Sequence, residues 1–358
     1  MNFITLDEER FTEFAKNSQQ KSFYQTVEIA KLREKNGWTP YFLGVEQNGE
    51  IVAASMIVAK PAFLGKSIFY APGGPLIDYE NTALMNFFIK NLKNYVKTHN
   101  GYLIHIEPYY ELIERNRDGE VVEHGFNHKK ALNNLKNLGF IRLAHSDEPK
   151  YSFALEIGDQ TPDQIFTAMK RNTRNHIRKA EKMGVKVREL KREELSIFKQ
   201  ITESTSKRRD FTDKPLSYYE QMYDLFHQKG EIKFMLAEAS HEGKTVPMSA
   251  AMFMLYGDEI IYLFSGSDEQ YMRDYNAQYE VQWHMIEYAA KNGFKRYNFY
   301  GIQGLPDKSS KDYGIYDFKK GFTAESTGKV IELIGAHELP ANTVFYNLHK
   351  LLSKLKNH

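Results

Sequence analysis

The sequence contains no cysteine, and this absence removes several classes of chemistry at once. Disulfide cross-links, thiolate nucleophiles and cysteine-ligated metal sites are all excluded. The sequence also has no run of 18 or more apolar residues, so it predicts no transmembrane helix. The first ten residues are acidic and have no apolar core, which is not the pattern of a secretory signal. These absences predict a cytoplasmic protein.

Several short motifs with a known mechanism are missing as well. There is no P-loop, no G-x-G-x-x-G, no H-E-x-x-H and no nucleophile elbow. The 12 histidines are scattered, and His124 and His128 alone do not make a metal site. The Arg/Gln-x-x-Gly-x-Gly/Ala loop, which holds the pyrophosphate of acetyl-CoA in N-acetyltransferases, is also absent. We therefore expect neither a metal nor a cofactor.

The length and the distribution of charge are informative. A chain of 358 residues is long enough for two domains. Its net charge is only +2, but the segment 170–192 contains ten Lys or Arg residues and two Glu residues, a local balance of +8. A basic block inside a mildly acidic body is a candidate site for a polyanion.

Two parts of the sequence repeat the same order of elements. Each part predicts a β-hairpin with Gly in its turn. Each hairpin precedes a helix that ends at Gly-Phe and leads into a strand. The hairpin strands are Tyr41–Glu46 with Ile51–Ala59 and Phe234–Ala239 with Pro247–Leu255, and the helices are Ala131–Leu138 and Tyr279–Asn292. The repetition predicts a duplicated α/β unit with a join near residues 145–160, and its order resembles the N-acetyltransferase (GNAT) fold.

The basic block falls on a predicted helix. Thr161 can cap the helix, Pro162 suits its first position and Gln164 completes a capping box, whereas Gly184 ends it. Helical spacing gives this single helix two opposite faces. The apolar face consists of Phe166, Met169, Thr173, Ile177 and Ala180, and the cationic face consists of Arg171, Arg174, Arg178 and Lys182. A solvated helix face is the ordinary alternative. The scarcity of acids for pairing and the prevalence of Arg favour phosphate or RNA binding.

Two further positions are candidates for catalysis. Glu107 follows the strand pattern Tyr102–Ile106, where a carboxylate can contact a substrate. Lys319 lies in the aromatic segment Tyr316–Phe322, where a partly desolvated lysine can stabilise a developing negative charge. The alternative for Lys319 and Lys320 is an exposed lysine pair beside a core phenylalanine.

Seven groups of segments along the chain form a recognisable set. They are Phe23–Thr26 with Gly37-Trp38, Pro72–Pro75, Ile106–Pro108, Lys170–Ala180, Thr205–Phe211 with Tyr218-Tyr219, Gly301–Gly304 and Tyr316–Phe322. No single segment is decisive, but their order and spacing over nearly the whole chain are specific. Taken in order, these segments resemble the Fem (FemABX) peptidyltransferases.

The resemblance implies an architecture and an activity. It implies two tandem GNAT-like domains with a cleft between them, domain 1 at 1–150 completed by 331–358 and domain 2 at 151–330. It implies transfer of an aminoacyl group from aminoacyl-tRNA to the stem-peptide lysine of a peptidoglycan precursor. Many members carry a coiled-coil arm in the second domain, and no such heptad stretch occurs here. The chain is therefore similar to the compact subtype, a monomer without stable membrane insertion that acts on UDP-MurNAc-pentapeptide.

The resemblance also assigns roles to individual residues. Lys319 is implied to stabilise the transition state, and Glu107, where Asp is usual, to orient or deprotonate the attacking amine. The substrate-binding residues implied are Arg33, Lys214, Tyr218, Tyr262 and Phe318, and the tRNA-binding residues are Arg171, Arg174, Arg178 and Lys182. Two further departures from the family pattern are Lys214 in place of Arg and Gly74 in place of Arg.

Several alternatives stay open at this stage. The same transfer can be made onto lipid II, and glycine, alanine and serine are all candidate donors. A CoA-dependent N-acyltransferase and a non-catalytic RNA-binding protein are the rival functions. The amphipathic, basic C-terminal helix Phe345–Leu355 is expected to pack on the first domain, with contact to a membrane surface as its alternative.

Overall fold

The chain divides into two compact α/β units. The first comprises Met1–Glu114, His124–Lys150 and Glu332–His358, and the second comprises Arg115–Glu123 and Tyr151–Ile331. The computed structural model describes residues 1–209 and 212–356, with side chains as far as Leu352. Asp210 and Phe211, at the end of the Thr205–Phe211 motif, lie outside the described residues.

The described residues form 15 strands and 12 α-helices, interspersed along the chain. The elements up to residue 150 are β1 (Asn2–Thr5), α1 (Glu8–Asn17), α2 (Val27–Lys35), β2 (Thr39–Gln47), β3 (Glu50–Phe63), β4 (Lys66–Gly73), α3 (Thr82–Thr98), β5 (Gly101–Pro108), β6 (Glu111–Ile113), α4 (Lys129–Asn137) and β7 (Ile141–Arg142). The elements that follow are β8 (Tyr151–Glu156), α5 (Pro162–Ala168), α6 (Arg171–Lys182), β9 (Lys186–Glu189), α7 (Leu195–Arg209), α8 (Leu216–Phe226), β10 (Ile232–His241), β11 (Lys244–Tyr256), β12 (Glu259–Ser267), α9 (Glu269–Tyr275), α10 (Ala277–Lys291), β13 (Arg296–Gly301), α11 (Tyr313–Lys320), β14 (Gly328–Leu333), β15 (His337–Pro340) and α12 (Thr343–Lys356).

The two units share a strand order, which confirms the predicted duplication. The first sheet has the order β1-β2-β3-β4-β5-β15-β7, and the second contains β14-β8-β13-β12-β11-β10-β9. In each sheet an antiparallel hairpin leads to a strand that pairs parallel with the next strand, β4 with β5 and β12 with β13. This arrangement is GNAT-like. The short strand β6 pairs with Glu332 and Leu333.

Both predicted hairpins are confirmed, together with their turns. Asn48 and Gly49 have φ angles of 54° and 87°, and Glu242 and Gly243 have φ angles of 51° and 76°. Two successive residues with positive φ make a type I′ turn, whose twist matches that of the paired strands.

The sequence-based prediction matched the wrong helix of the first unit with α10 of the second. A parallel strand pair needs a crossover between its strands, and α3 supplies it between β4 and β5 as α10 does between β12 and β13. The predicted partner, the helix before Gly139-Phe140, is α4, which leads into the two-residue strand β7. The Gly-Phe signal therefore identified real helix ends but matched α10 with the wrong helix.

The single helix predicted from Thr161 to Gly184 is two helices. Its start is confirmed because both capping-box hydrogen bonds form between Thr161 and Gln164. The helix breaks at Met169 and Lys170, whose ψ angles of 156° and 140° are extended. The amide of Lys170 donates to the carbonyl of Gly321 instead, at 3.0 Å. The chain turns here because a tertiary hydrogen bond replaces a helical one.

Each unit buries its long helix against its own sheet. Helix α3 buries Leu84, Phe88 and Leu92, and α10 buries Val281, Met285 and Ala289. Burying one such large apolar side chain stabilises the fold by about 1.5–3 kcal/mol. In the part of the chain that is described, no helix is long and apolar enough to cross a membrane.

Candidate functional site

Glu107 occupies a buried, fully hydrogen-bonded position in the first unit. It lies near the end of β5, and its side chain is only 2% exposed. One carboxylate oxygen accepts from the hydroxyl of Tyr70 at 2.8 Å, and the other contacts Nε2 of His105 at 3.2 Å. The amides of Asp147 and Glu148 donate to the same carboxylate at 2.8 Å and 3.3 Å. Glu107 therefore connects two strands to the loop before β8.

The surroundings of Glu107 keep it ionised. Burial raises the pKa of the carboxyl group, but hydrogen bonds from His105, the Asp147 amide and Tyr70 outweigh burial and leave the pKa below its usual value of 4.5. Burial beside Glu107 raises the pKa of the Tyr70 hydroxyl, so Tyr70 remains a donor. A carboxylate with a lowered pKa and four donors is a weak base, and the geometry favours a positioning role for Glu107.

Arg33 lies over the aromatic rings next to this carboxylate. Its guanidinium carbon is 5.6 Å from the ring centroid of Tyr70 and 5.9 Å from that of Trp38. The exposed Lys60 places its ammonium 5.5 Å from the same Trp38 ring. Two cations on shared aromatic surfaces form a positive patch that suits an anionic ligand. Lys60 was not predicted from the sequence, because it lies on β3 and far along the chain from Arg33.

Two of the quoted segments pack against each other beside this patch. Gln25 is fully buried, and its amide nitrogen donates to the carbonyl oxygens of Met56 and Pro72 at 2.9 Å and 2.7 Å. A side chain at Gly74 would collide with the amide of Gln25, and one at Gly73 would collide with Ser22. The glycines therefore allow the bend 72–75 to lie directly on the Phe23–Thr26 segment.

Lys319 is buried in the second unit, which contradicts the alternative of an exposed lysine pair. It lies on α11 and is 6% exposed. Its ammonium donates to the carbonyl oxygens of Tyr300 at 3.0 Å and Gly301 at 2.5 Å. Burial lowers its pKa from 10.5 to about 7. Two of the three protons of the charged ammonium are used by these carbonyls, which leaves one proton for a further acceptor.

A β-bulge in β13 presents the two carbonyls to Lys319. The pairing of β13 with β8 shifts between Asn298 and Gly301. Tyr300 has a φ angle of 61°, and its amide donates to the buried side chain of Asn298 at 2.8 Å. Bulges and left-handed residues of this kind often re-aim groups at functional sites. Apart from the Gly301–Gly304 turn, no local pattern predicted this bulge.

A short hairpin within Arg115–Glu123 holds α11 in place. The hydroxyl of Tyr316 donates to the carbonyl of Arg117 at 2.8 Å, and Lys320 forms an ion pair with Asp118. Tyr316 and Lys320 flank Lys319 on α11, so the hairpin fixes the helix close to the buried ammonium. The sequence-based boundaries assign these residues to domain 1, whereas the structure packs them with the second unit.

The basic helix α6 begins against the end of α11. Lys170 forms an ion pair with Asp317 at 2.7 Å, and its amide bonds to the carbonyl of Gly321. A side chain at Gly321 would collide with Thr173, so glycine allows the close approach. The structure therefore brings together the predicted tRNA-binding helix and the helix that carries Lys319.

The four predicted tRNA-binding cations are not equivalent. Arg171, Arg178 and Lys182 are exposed. Arg178 also lies over the ring of Phe166, 5.4 Å from its centroid. Arg174 is half-buried and donates to the carbonyls of Thr167 and Met169 at 2.5 Å and 2.7 Å. It therefore caps the end of α5 and leaves three cations on the open face of α6.

Of the predicted pair, Lys214 lies between α7 and α8, and Tyr218 lies in the first turn of α8. The exposed ammonium of Lys214 is 5.5 Å from the ring centroid of Tyr218. The preceding residue, Asp213, accepts hydrogen bonds from Lys199, Thr202 and Tyr219, which together hold its pKa below the usual value although burial raises it. Asp213 anchors the loop that presents Lys214, and sequence reasoning missed it because its donors lie on two different helices.

The remaining candidates, Phe318 and Tyr262, line the core of the second unit. Phe318 is half-buried and meets the ring of Tyr279 edge-on at 5.0 Å. The hydroxyl of Tyr262, on β12, bonds to Ser265 at 2.5 Å. Within the described residues, no group of three or more His, Asp or Glu side chains is placed to hold a metal ion.

Comparisons with known proteins identify one family. The model of the FemAB family matches residues 6–241 and 239–354. Aminoacyltransferase FemA of Staphylococcus aureus is 29% identical in two strains, bovine RF122 / ET3-1 and MRSA252, over 100% of this chain and 99% of the relative. That alignment spans 425 positions, so at least 67 of them have no residue in this chain of 358. The crystal structure of FemX superposes with a TM-score of 0.83 and 22% identity, covering 97% of this chain and 99% of that one.

Proposed function

The chain belongs to the FemAB family, and on this premise we propose that it is an aminoacyltransferase of cell-wall synthesis. The donor is aminoacyl-tRNA, and the acceptor is the side-chain amine of the stem-peptide lysine of UDP-MurNAc-pentapeptide. The observation that carries the proposal is Lys319, a buried ammonium held by two carbonyls on a helix that adjoins a basic helix. This arrangement suits an acyl transfer from a polyanionic donor through an oxyanion.

The proposed reaction is a direct attack on the ester of the charged tRNA. The neutral amine of the acceptor attacks the ester carbon, and a C–N bond forms as the carbonyl oxygen becomes an oxyanion. The third proton of the Lys319 ammonium stabilises that oxyanion. Collapse of the intermediate breaks the C–O bond to the terminal ribose, whose oxygen leaves with the proton that the amine loses. Because the ester is already activated, the protein mainly positions the two reactants and stabilises the oxyanion.

The other residues have binding and positioning roles in this proposal. Arg171, Arg178 and Lys182 hold the phosphates of the tRNA, because all three are exposed on the cationic face of α6. Arg33 and Lys214 are each assigned to binding an anionic group of the nucleotide-linked acceptor, and aromatic rings lie beside each cation. Tyr218, Tyr262 and Phe318 line the substrate site. Arg174 holds the start of α6 against the end of α5, through its hydrogen bonds to the carbonyls of Thr167 and Met169. Glu107, whose pKa is held below its usual value, positions its hydrogen-bonding neighbours as a carboxylate.

The test is a transfer assay with purified protein, UDP-MurNAc-pentapeptide and tRNAs charged separately with radiolabelled glycine, alanine and serine. Label on the nucleotide-linked precursor supports the proposal and names the donor. Label only on lipid II supports the chemistry and corrects the acceptor. Absence of transfer to both acceptors contradicts the proposal. In that case acetyl-CoA binding would point to a CoA-dependent acyltransferase and RNA binding alone to a non-catalytic protein.

A further inference from the structure

The C-terminal helix α12 is attached to the first unit along one side. Tyr346 is buried, and its hydroxyl donates to Glu338 of β15 at 3.1 Å. The hydroxyl of Tyr102 on β5 meets Nδ1 of His349 at 3.0 Å, with their rings edge to face. These contacts agree with the predicted packing of the helix and determine which of its sides faces outward.

The outward side of α12 is apolar. Val344, Leu348 and Leu351 are 74%, 37% and 57% exposed, and their spacing aligns them in one stripe along the helix. In the sequence, Leu355 continues the same spacing. An amphipathic helix that packs only on its own domain would expose polar residues to solvent. An exposed apolar stripe on such a helix instead indicates a binding surface.

A second element extends the apolar stripe. The turn between β3 and β4 lies beside α12, because the ring of Phe63 stacks on His349 at 6.4 Å and Lys66 lies 5.4 Å from the ring centroid of Phe345. Leu64, in this turn, is 68% exposed. Among the residues whose side chains are described, nine large apolar residues are exposed, and four of them belong to this surface.

The charge of the surface identifies its partner. From Thr343 to His358 the sequence has three lysines and no acidic residue. Lys350 is exposed on the helix, although its ammonium also lies 3.7 Å from the carboxylate of Glu338, and Lys66, at the start of β4, lies over the ring of Phe345. A basic amphipathic helix with exposed leucines is the pattern of a segment that lies in the interface of an anionic bilayer. A protein groove would not require this excess of positive charge.

We propose that Val344, Leu348, Leu351 and Leu64, with Lys66 and Lys350, form a docking surface for an anionic membrane. The leucines and the valine enter the headgroup region while the lysines contact anionic lipid headgroups. The docking is peripheral and reversible, because one short helix and one turn supply the apolar area. This surface is independent of the residues to which catalysis is assigned, and it goes beyond the proposed function.

The experiment is sedimentation of the full chain with vesicles of phosphatidylcholine and phosphatidylglycerol, compared with phosphatidylcholine alone. The expected result is binding to the anionic vesicles that weakens as salt is added. The apolar variant Val344→Ser/Leu348→Ser/Leu351→Ser should bind at least about 100-fold more weakly. The charge variant Lys66→Gln/Lys350→Gln should lose about fivefold for each lysine removed.

A matched control removes three exposed apolar side chains from the second unit. Val121→Ser/Met183→Ser/Leu305→Ser changes residues that are 53%, 40% and 42% exposed. This control should bind vesicles like the wild type. The apolar variant should transfer the aminoacyl group to the water-soluble nucleotide-linked acceptor at the wild-type rate, because none of its three residues touches the assigned site.

Three results would overturn the docking surface. They are absence of sedimentation with anionic vesicles, equal binding to neutral vesicles, and a dimer in solution that the apolar variant dissociates while vesicle binding is absent. Failure of transfer with intact sedimentation would reject the proposed function alone. Failure of sedimentation with intact transfer would reject the docking surface alone.

Discussion

In the proposed reaction, catalysis depends on the proton of Lys319. A lysine whose pKa is about 7 is only half charged at neutral pH, yet an oxyanion needs the charged form. The acceptor amine needs the opposite, because it attacks only when neutral, and its pKa is about 10.4. These two requirements give the reaction a specific dependence on pH.

The first prediction concerns the pH profile of kcat/KM. In the wild type kcat/KM should rise about tenfold per pH unit below about pH 7, as the amine loses its proton. Above this pH the loss of the Lys319 proton cancels the rise, and the profile levels off. Lys319→Arg keeps its charge, so its profile should continue to rise to pH 8.5 and beyond. Parallel profiles for the two proteins would show that the proton of Lys319 is not required.

The second prediction concerns the anion at Glu107. Because its folded pKa lies below 4.5, its contribution to stability is complete above that value and is lost as the pH falls through the folded pKa. Glu107→Gln should lower the free energy of unfolding by about 1–3 kcal/mol at neutral pH, since donors lose their acceptor. In urea unfolding this difference should shrink in acid. A difference that grows in acid would contradict the ionised state.

At the residue scale, the sequence predicted which side chains are candidates for chemistry better than it predicted their hydrogen-bond partners. Lys319 and Glu107 could be selected because a lysine among aromatic residues and a carboxylate at a strand end are local patterns. The hydrogen-bond partners of Lys319 could not be predicted. The carbonyls of Tyr300 and Gly301 reach it because β13 has a bulge, which depends on the pairing of β13 with β8. The partners of Glu107 include the amides of Asp147 and Glu148, which belong to a loop 40 residues further along the chain.

At the scale of elements, the hairpin 115–123 positions α11 through Asp118. Its ion pair with Lys320 lies at the surface, so its loss should cost less than about 1 kcal/mol of stability. Asp118→Asn should nevertheless lower kcat by about tenfold with little change in KM, since small displacements of a catalytic group are costly.

The control for this prediction is a comparable ion pair away from α11. Asp159 pairs with Lys295 at 2.6 Å, with both side chains exposed. Asp159→Asn should leave kcat unchanged. Equal effects of the two substitutions would show that the hairpin does not position Lys319.

The exposed face of α6 is predicted to bind RNA by its charge. Arg171→Ala/Arg178→Ala/Lys182→Ala should weaken tRNA binding and reduce the slope of log affinity against log salt by about 2–3, close to one for each phosphate contact. Arg174→Ala should instead destabilise the fold by about 1–3 kcal/mol, because two carbonyls at the end of α5 lose their donor. Titration of labelled tRNA at several salt concentrations checks the first effect, and an unchanged slope would contradict it.

The break between α5 and α6 shows what element-scale prediction missed. The buried residues Met169 and Thr173 are four positions apart, which is a helical spacing. Periodicity alone therefore predicted one continuous helix across the position where the chain turns. The interruption depends on the amide of Lys170 meeting the carbonyl of Gly321, about 150 residues away in the chain. Periodicity correctly identified the buried face, and only the tertiary contact determined where the helix turns.

At the scale of the whole molecule, repetition was the informative signal. Two Gly-containing turns between apolar runs predicted the two hairpins and hence the duplicated unit. The crossover helix α3 was missed, and α4 was matched to α10 in its place, because its Gly-Phe end has the same local sequence. Residues 115–123 pack with the second unit although they interrupt the first, and a long-range arrangement of this kind leaves no local pattern in the sequence.

The alignment with FemA fits a compact member of the family. At least 67 alignment positions have no counterpart in this chain, and the longest helix in the described ranges, α3, has 17 residues. The sequence-based expectation of a chain without a coiled-coil arm agrees with both observations. The choice between nucleotide-linked and lipid-linked acceptors is the subject of the transfer assay.

The most direct test of the central claim is the single-turnover rate of transfer from saturating charged tRNA to UDP-MurNAc-pentapeptide, for wild type and Lys319→Met. The account predicts a rate about 10²–10³-fold lower in the variant, with unchanged tRNA affinity, because the variant loses the donor to the oxyanion. Lys295→Met, which removes an exposed lysine of the same unit, should transfer at the wild-type rate. Transfer by Lys319→Met at close to the wild-type rate would contradict the assignment of catalysis to this lysine.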